Sequence, residues 1–429
     1  MAGAWAFHPK LSSMVSLLCS LLLTQVPTDT ELGALVLQGK PMPALLLAEQ
    51  RYRAASGPQA RNQTGQALAT MRTYVGDSAG AALLAGELLA SHPNPGQLDA
   101  RVEKLERRPA VAAIASEAAT HAFVVLNENH ALGQNRAFAT ALLEALAREG
   151  FRYFAAEGFT PAIARSADAG VPFAVDANVM PDPLYADLVR TALRLGLVLD
   201  PYDDTPDFQT DDALERFNFR DDAEAKNLLA RTTGTDPGAR VFVYCGFNHA
   251  GKRGMEVGPG EVLRPMALRL AELSGTDVLT IDQTTMVSTG FERAMQPAYR
   301  FARTRPWLDQ PLLLRDGAGW LRRGFGEETD LQVVLPPVKL VRGRPDWLFG
   351  VGHRQPVDIP ARFRPKRGRF LIRAFLAAEP APGVPLDQVL LTAADTTTAL
   401  ALRPGSYRLV SQDEAGNDME LGPLTVEAR

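Results

Sequence analysis

Residues 123–158 read FVVLNENHALGQNRAFATALLEALAREGFRYFAAEG, and this stretch decides the fold class. A short apolar run, Phe123–Leu126, is followed by an amphipathic stretch, Asn135–Arg148, and by a second apolar run, Tyr153–Ala156. Helical spacing of apolar residues between two short runs rich in β-branched or aromatic residues predicts a strand, a helix and a second strand. About 35 residues is the size of one right-handed crossover, so the stretch predicts a unit of a parallel sheet.

The same alternation of short apolar runs and amphipathic stretches continues for more than a hundred residues after this unit. Further candidate strands are Phe173–Val175, Leu197–Leu199, Val241–Tyr244 and Val278–Ile281, and further candidate helices are Leu184–Leu195, Asp212–Arg231 and Glu261–Leu273. Alternating β and α units predict an α/β domain over residues 120–330, with a mostly parallel sheet flanked by helices.

The regions on either side of this domain have different patterns. Residues 29–119 are rich in Ala and Leu at helical spacing, which predicts an all-α N-terminal region. In residues 331–429, short apolar runs are separated by Pro and Gly turns, which predicts a small antiparallel, immunoglobulin-like β-sandwich. The stretch 291–360 is rich in Arg, Pro and Trp and predicts irregular structure.

The start of the chain has the features of an export signal. Residues 11–23, LSSMVSLLCSLLL, form an apolar run that is too short for a bilayer span, which needs about 20 residues. We therefore expect a signal peptide over residues 1–28, cleavage between residues 24 and 31, and a periplasmic or cell-envelope location. Leu18-Cys19 is an imperfect lipobox, so a lipoprotein at a membrane surface is a second form of this prediction, and a buried N-terminal helix is the alternative.

Composition excludes several classes of partner and site. The chain has 45 basic and 49 acidic side chains and a formal net charge of −4, so it lacks the basic footprint of a nucleic-acid-binding protein. Two cysteines cannot build a disulfide framework or a Cys-rich zinc module. A metal ion would need ligands from carboxylates and from the six histidines. The expected partner is a small-molecule or peptide substrate, and no pattern indicates an oligomeric state.

Ionisable residues follow the candidate strands. Ligands of open parallel sheets bind beyond the carboxyl ends of the strands, so these residues are candidates for a site. In chain order they are Glu128, His130, Glu157, Asp176, Asp200, His249 and Asp282.

Glu128 and His130 are the sharpest pair among them. Residues two apart in an extended segment point the same way, so the carboxylate and the imidazole can converge on one water molecule or one metal ion. His249 leaves an apolar run into a turn bracketed by Gly246 and Gly251. Each of these residues also has a structural alternative, as a solvated loop residue or as a histidine that only stabilises the fold.

These motifs together resemble a superfamily that joins erythromycin-esterase-like hydrolases, ChaN-like haem-uptake lipoproteins and Tiki/TraB metalloprotease-like proteins. The resemblance covers roughly residues 120–285 and has four motifs in the family's order. They are Leu126-Asn127-Glu128-Asn129-His130, Ala155-Ala156-Glu157-Gly158, Arg220-Asp221 with Ala225 and Asn227, and Gly246-Phe247-Asn248-His249-Ala250.

The chain departs from the family pattern at two positions. Asn127 stands where the family has Gly, a change that we attribute to the tolerance of Asn for left-handed backbone. Glu224 stands at the usual Met of the third motif, so we expect different packing beneath that helix. Arg136 resembles an arginine of the esterase branch, although its spacing from the first motif is one or two residues off.

The resemblance implies a hydrolytic site with one of two chemistries, or a binding protein. In the esterase-like form, His130 deprotonates water, Glu128 and Glu157 orient the imidazole and the water, and Arg220 and His249 stabilise an oxyanion. In the metalloprotease-like form, Glu128, His130 and His249 ligate a divalent metal ion. The ChaN-like alternative is a haem-binding or other ligand-binding protein without catalysis, in which His130 contacts the haem.

Overall fold

A computed structural model of the 429-residue chain describes residues 30–90, 96–322 and 329–428. The predicted signal peptide, residues 1–28, and its Cys19 lie outside these ranges. No helix in the described ranges is long and apolar enough to cross a membrane.

Helices occur throughout the first three quarters of the described chain. The α-helices are α1 (Thr30–Leu37), α2 (Pro41–Ala54), α3 (Pro58–Tyr74), α4 (Ser78–Ala90), α5 (Ala110–Ala118), α6 (Gly133–Arg148), α7 (Ile163–Ala169), α8 (Pro183–Arg194), α9 (Ala213–Arg231), α10 (Met266–Ser274) and α11 (Pro297–Ala302).

Strands form one large sheet and several smaller ones. They are β1 (Glu106–Pro109), β2 (Phe123–Glu128), β3 (Tyr153–Ala156), β4 (Val198–Asp200), β5 (Val241–Gly246), β6 (Met255–Gly258), β7 (Glu261–Leu263), β8 (Val278–Met286), β9 (Leu312–Asp316), β10 (Gly319–Trp320), β11 (Leu331–Val334), β12 (Leu340–Val341), β13 (Arg344–Pro345), β14 (Gln355–Asp358), β15 (Arg369–Leu376), β16 (Asp387–Thr392), β17 (Ala399–Leu402), β18 (Gly405–Gln412) and β19 (Asp418–Val426).

The large sheet has the strand order β1-β9-β11-β8-β2-β5-β3-β4, and β10 pairs with β9. Neighbouring strands from β11 to β4 run parallel, whereas β1, β9 and β10 add antiparallel pairs at one edge. The predicted mixed α/β class with a mostly parallel sheet is therefore confirmed.

Strand β2 lies in the interior of this sheet, and all six of its residues are buried. Its alternate residues face opposite sides, as the period of a strand requires. Val124 belongs to an apolar cluster with Leu142 of α6, whereas Val125 belongs to another cluster with Leu228 of α9. Helices thus cover both faces, and the polar residues at the end of β2 emerge from a fixed frame.

Several elements differ from the sequence predictions. Phe173–Val175 is not a strand, because the Phe173 N–H donates to Ser166 Oγ and its carbonyl accepts from the Asp176 N–H in a turn. The helix predicted over Glu261–Leu273 begins only at Met266, since the residues before it form β7, which pairs with β6.

The sheet also recruits residues from outside the predicted α/β segment. Strand β1, in the region expected to be all helical, pairs antiparallel with β9, and α5 follows it directly. Strands β9 and β11 lie in the stretch expected to be irregular, yet they join the sheet at β8. Their pairing is with strands far away in sequence, which local patterns do not reveal.

The last part of the chain forms antiparallel sheets, as expected. A four-stranded sheet has the order β16-β15-β18-β19, and a separate pair joins β14 to β17. One apolar cluster contains Leu400 of β17 together with Ile372, Leu391 and Leu409 of the four-stranded sheet.

Buried ion pairs connect this C-terminal part to the α/β sheet. Arg354 Nη2 lies 2.7 Å from Asp187 Oδ2 of α8, and both side chains are almost fully buried. Arg190 of α8 binds Glu379 through two hydrogen bonds of 2.7 Å each. Helix α8 is thereby held between the sheet and the C-terminal strands.

We predict that Asp187→Ala lowers the free energy of unfolding by about 3–5 kcal/mol, because it leaves the buried Arg354 guanidinium without its carboxylate. The matched control is Glu144→Ala, which breaks the exposed pair with Arg194 and should cost less than about 1 kcal/mol. Urea unfolding of both variants measures the difference. Equal losses would contradict the role assigned to the buried pair.

Candidate active site

The carboxylate of Glu128 lies at the end of β2 and is the most heavily bonded group of the site. Arg136 donates to it from Nε and Nη2, each at 3.0 Å, Tyr244 donates its hydroxyl, and His130 Nδ1 lies 2.7 Å away. Burial raises the pKa of this carboxyl, but Arg136 and His130 lower it more, and the pKa lies well below its usual range. Glu128 is therefore ionised, and its carboxylate is held in place by Arg136, Tyr244 and His130.

Arg136 connects Glu128 to Asp182, the residue that precedes α8. Its Nη1 lies 2.8 Å from Asp182 Oδ2, and another oxygen of Asp182 accepts the N–H groups of Leu184 and Tyr185 at the start of α8. Arg136 is almost completely buried, so it balances the charge of two carboxylates and holds Glu128 in position.

His130 has one nitrogen bound and one available. Its Nδ1 faces Glu128, whereas its Nε2 makes no hydrogen bond within the described residues and points toward Gly246. Burial lowers the pKa of the imidazole, while Glu128 and Glu157 raise it, and the net shift is upward.

Gly246 ends β5 and leaves the space that His130 uses. A Cβ atom at this position would lie 3.0 Å from His130 Nε2 and 2.9 Å from Glu157 Oε2. The Gly246 N–H donates to that same Glu157 oxygen. A side chain at the end of β5 would therefore press on both the imidazole and the second carboxylate.

Arg220 links the second carboxylate to a third. Its Nη2 donates to Glu157 Oε1 and to Asp203 Oδ1, both at 2.8 Å, and Asp203 Oδ2 accepts the Gly158 N–H. Burial raises the pKa of Glu157, but Arg220, His249 and His130 together lower it to about 2. Glu157 is thus ionised at neutral pH and lies within the field of both histidines.

His249 lies in a separate group beside Arg220. Its Nδ1 is 2.9 Å from Asp221 Oδ1 and 3.7 Å from Glu224 Oε2, and its ring stacks on Phe217. Burial lowers the pKa of His249, but Asp221 and Glu224 raise it to about 10. Burial also raises the pKa of Glu224, whose other oxygen lies 2.6 Å from Arg220 Nε.

Asp221, Glu224 and His249 form a buried group that could hold a metal ion, because their potential ligand atoms all lie within 4.8 Å of one another. The ligand set expected from the sequence was Glu128, His130 and His249. Within the described chain these three do not form such a group, since His249 binds Asp221 while His130 binds Glu128.

Three acids that follow candidate strands lie outside the site. Asp176 binds Arg165 and Ser166, and Asp282 accepts hydrogen bonds from Asn127 and Thr284. Asp200 is buried at the end of β4, where burial raises its pKa to about 6.

Asn127 does not have the backbone role expected from its tolerance for left-handed conformations. Asn127 lies within β2 and not in left-handed backbone. Its side chain donates to Asp282 and to the Phe247 carbonyl and accepts the Gln283 N–H. The amide therefore ties β2 to β8 and to the turn that carries His249.

Four side chains of the site were not singled out from the sequence for the roles they have. Tyr244 appears within an apolar run, Asp182 precedes a proline, Asp203 is in a loop, and Glu224 stands at an expected Met. A polar residue inside an apolar strand was the one signal that could have indicated Tyr244. The other contacts depend on the packing of α8 and α9 against the sheet.

Comparisons with known proteins give little support for a family. The sequence matches no protein-family model, and no curated protein matches it. A solved structure described as "Bacterial protein toxins" is similar with a TM-score of 0.32 and 15% identity over 57% of this chain and 54% of that one. A crystal structure of RRSP, a MARTX toxin effector domain from Vibrio vulnificus CMCP6, is similar with a TM-score of 0.30 and 17% identity over 59% of this chain and 55% of that one. The chain thus spans about half the length of both structures, and the resemblance described above stays a prediction.

The charge state of Glu157 predicts acid-dependent stability. Its pKa falls from 4.5 to about 2 on folding, so its contribution is complete above about pH 4.5 and is lost as the pH falls toward 2. We expect Glu157→Gln to lose on the order of 3 kcal/mol at pH 6 and less at pH 2.5. Chemical denaturation at several pH values measures this, with exposed Glu256→Gln as the control. A loss that does not depend on pH would contradict the assigned ionisation.

Proposed function

We propose that the protein hydrolyses an ester or amide bond with a water molecule activated by His130. The main support for this proposal is the hydrogen bonding of the two nitrogens of the His130 imidazole. Its Nδ1 is held by an anionic carboxylate, and its Nε2 makes no hydrogen bond in the described chain. A histidine oriented in this way by a carboxylate is suited to act as a general base.

The first step transfers a proton from water to His130 Nε2, while the water oxygen bonds to the carbonyl carbon of the substrate. The imidazolium that forms lies beside Glu128 and near Glu157, and both carboxylates stabilise its positive charge. Glu157 is already paired with Arg220 and the Gly246 N–H, so it does not compete for the proton.

As the water oxygen bonds to the carbon, the π-electron pair of the carbonyl moves to its oxygen, and Arg220 is the candidate group that stabilises this tetrahedral oxyanion. Its Nη2 and Nε are occupied by carboxylates, but Nη1 makes no hydrogen bond within the described residues. This nitrogen can donate to the oxyanion. When the carbon–oxygen or carbon–nitrogen bond breaks, His130 returns its proton to the leaving group.

The exposed fraction of each side chain distinguishes the groups that contact the substrate in this proposal from those that position them. His130, Glu157, Arg220 and Asp203 keep 13–14% of their side-chain surface exposed, whereas Glu128 keeps 3%. His249 is 9% exposed and pairs with Asp221, so in this proposal it acts on Glu157 through its charge.

Further parts of the proposal concern location and the appended regions. The apolar run of residues 11–23 supports export to the periplasm or envelope, although it lies outside the described residues. The apolar cluster shared by β17 and the four-stranded sheet supports a small C-terminal β-sandwich.

We predict that His130→Ala lowers kcat/KM about 10²–10⁴-fold for whichever substrate of an ester and peptide panel is hydrolysed. The matched control is His121→Ala, which removes a histidine of similar burial just before β2, at the strand end opposite to the site. Activity that persists in His130→Ala would contradict the proposal. A haem Soret shift that vanishes in the same variant, without hydrolysis by the wild type, would favour the ligand-binding alternative.

Gly246→Ala provides a second variant for the same prediction, since it removes no functional group. Its Cβ would push apart His130 and Glu157, so we expect a similar loss of activity with a circular dichroism spectrum like that of the wild type. Unchanged kcat/KM in this variant would show that the two side chains need not approach each other.

A further inference from the structure

We propose that Asp221, Glu224 and His249 form a binding site for one divalent transition-metal ion, with Zn²⁺ and Mn²⁺ as the cations that fit. This site is separate from the water-activating group at His130, and the proposal stands whether or not the chain is a hydrolase. It rests on the geometry of three buried side chains and on the groups that hold them.

The three side chains converge because of local structure. Asp221 and Glu224 are three residues apart on α9, which places both carboxylates on one face of the helix. His249 comes from the short 3-10 turn that follows β5. Its Nδ1 lies 2.9 Å from Asp221 Oδ1 and 3.7 Å from Glu224 Oε2. Ligands at bond lengths of about 2.0–2.2 Å around one ion lie roughly 3–4 Å apart, so these spacings fit a single cation.

Each ligand is also held on its far side. The second oxygen of Asp221 accepts the Met266 N–H at 2.6 Å, and the second oxygen of Glu224 lies 2.6 Å from Arg220 Nε. Phe217 stacks on the His249 ring and fixes its plane. One oxygen of each carboxylate is thus anchored while the other faces His249, and stacking holds the imidazole ring, as is typical of metal sites with supported ligands.

Glu224 supplies an independent observation. It is fully buried, and among the described residues neither carboxylate oxygen receives a hydrogen bond, although one of them lies 2.6 Å from Arg220 Nε in an ion pair. Burial without a hydrogen bond is costly for a carboxylate, and Arg220 is shared with Glu157 and Asp203. Three carboxyl groups therefore share the Arg220 guanidinium, and a cation between Asp221, Glu224 and His249 would add positive charge beside Glu224.

The donor set selects the class of ion. One imidazole with two carboxylates suits Zn²⁺ and Mn²⁺, whereas a site for Ca²⁺ would offer six to eight oxygen ligands. Binding must displace the proton that His249 carries in its pair with Asp221, so metal uptake releases a proton.

The test uses the full chain stripped with a chelator, dialysed against Zn²⁺ or Mn²⁺ and assayed by mass spectrometry. We expect close to one equivalent in the wild type and at least about a 100-fold weaker Kd in Glu224→Gln and His249→Gln. Saturating Zn²⁺ should raise Tm of the wild type and leave that of the two variants unchanged. His121→Gln is the matched control, since among the described residues His121 pairs with a single carboxylate, that of Asp277, and this variant should bind metal like the wild type.

An absorption experiment on the wild type alone tests the proposal even if the variants do not fold. Co²⁺ added to the stripped protein should give d–d absorption bands at one equivalent, and Zn²⁺ should remove them. Binding of less than about a tenth of an equivalent at 1 mM metal would overturn the proposal, as would binding that the Glu224 and His249 variants retain. Hydrolysis by the metal-free wild type would leave the proposal for His130 intact, so the two proposals fail separately.

Discussion

The ion pair of Glu128 and Arg136 is the interaction on which the site depends. A carboxylate at the end of an interior strand is costly to bury, and this one is tolerated because a guanidinium, a tyrosine hydroxyl and an imidazole all bind it. Arg136 extends the connection to Asp182 and thus to the start of α8. The position of His130 is therefore set by a network that spans β2, β5, α6 and α8.

Arg220 likewise connects several carboxylates on the other side of the site. It contacts Glu157 and Asp203 near the exposed edge and Glu224 in the interior. A change in the charge of the group formed by Asp221, Glu224 and His249 can therefore affect Glu157 through the Arg220 guanidinium. His130 and His249, which follow different strands, both lower the pKa of this carboxylate through their charge.

The sequence predicted the parallel sheet because β2, α6 and β3 are local patterns with clear periods. It also predicted that Glu128 and His130 converge, and the structure joins them in one pair. Glu157 and Arg220 were expected in the same site, but their hydrogen bond to each other was not predicted. It did not predict that β1, β9 and β11 complete the sheet, because their pairing depends on distant partners. The ligand set around His249 was also missed, since the contact of Glu224 with His249 arises only when α9 packs beside the turn after β5.

His130 is a base in this mechanism because Glu128 holds a proton on its Nδ1 and leaves its Nε2 available. NMR titration of the protein with labelled histidines tests this claim most directly, because six imidazoles can be assigned by single substitutions. We expect a pKa for His130 above the ordinary 6.5, with the neutral form protonated at Nδ1, and a fall in that pKa in Glu128→Gln. A pKa at or below 6.5, or a proton on Nε2 in the neutral form, would contradict it.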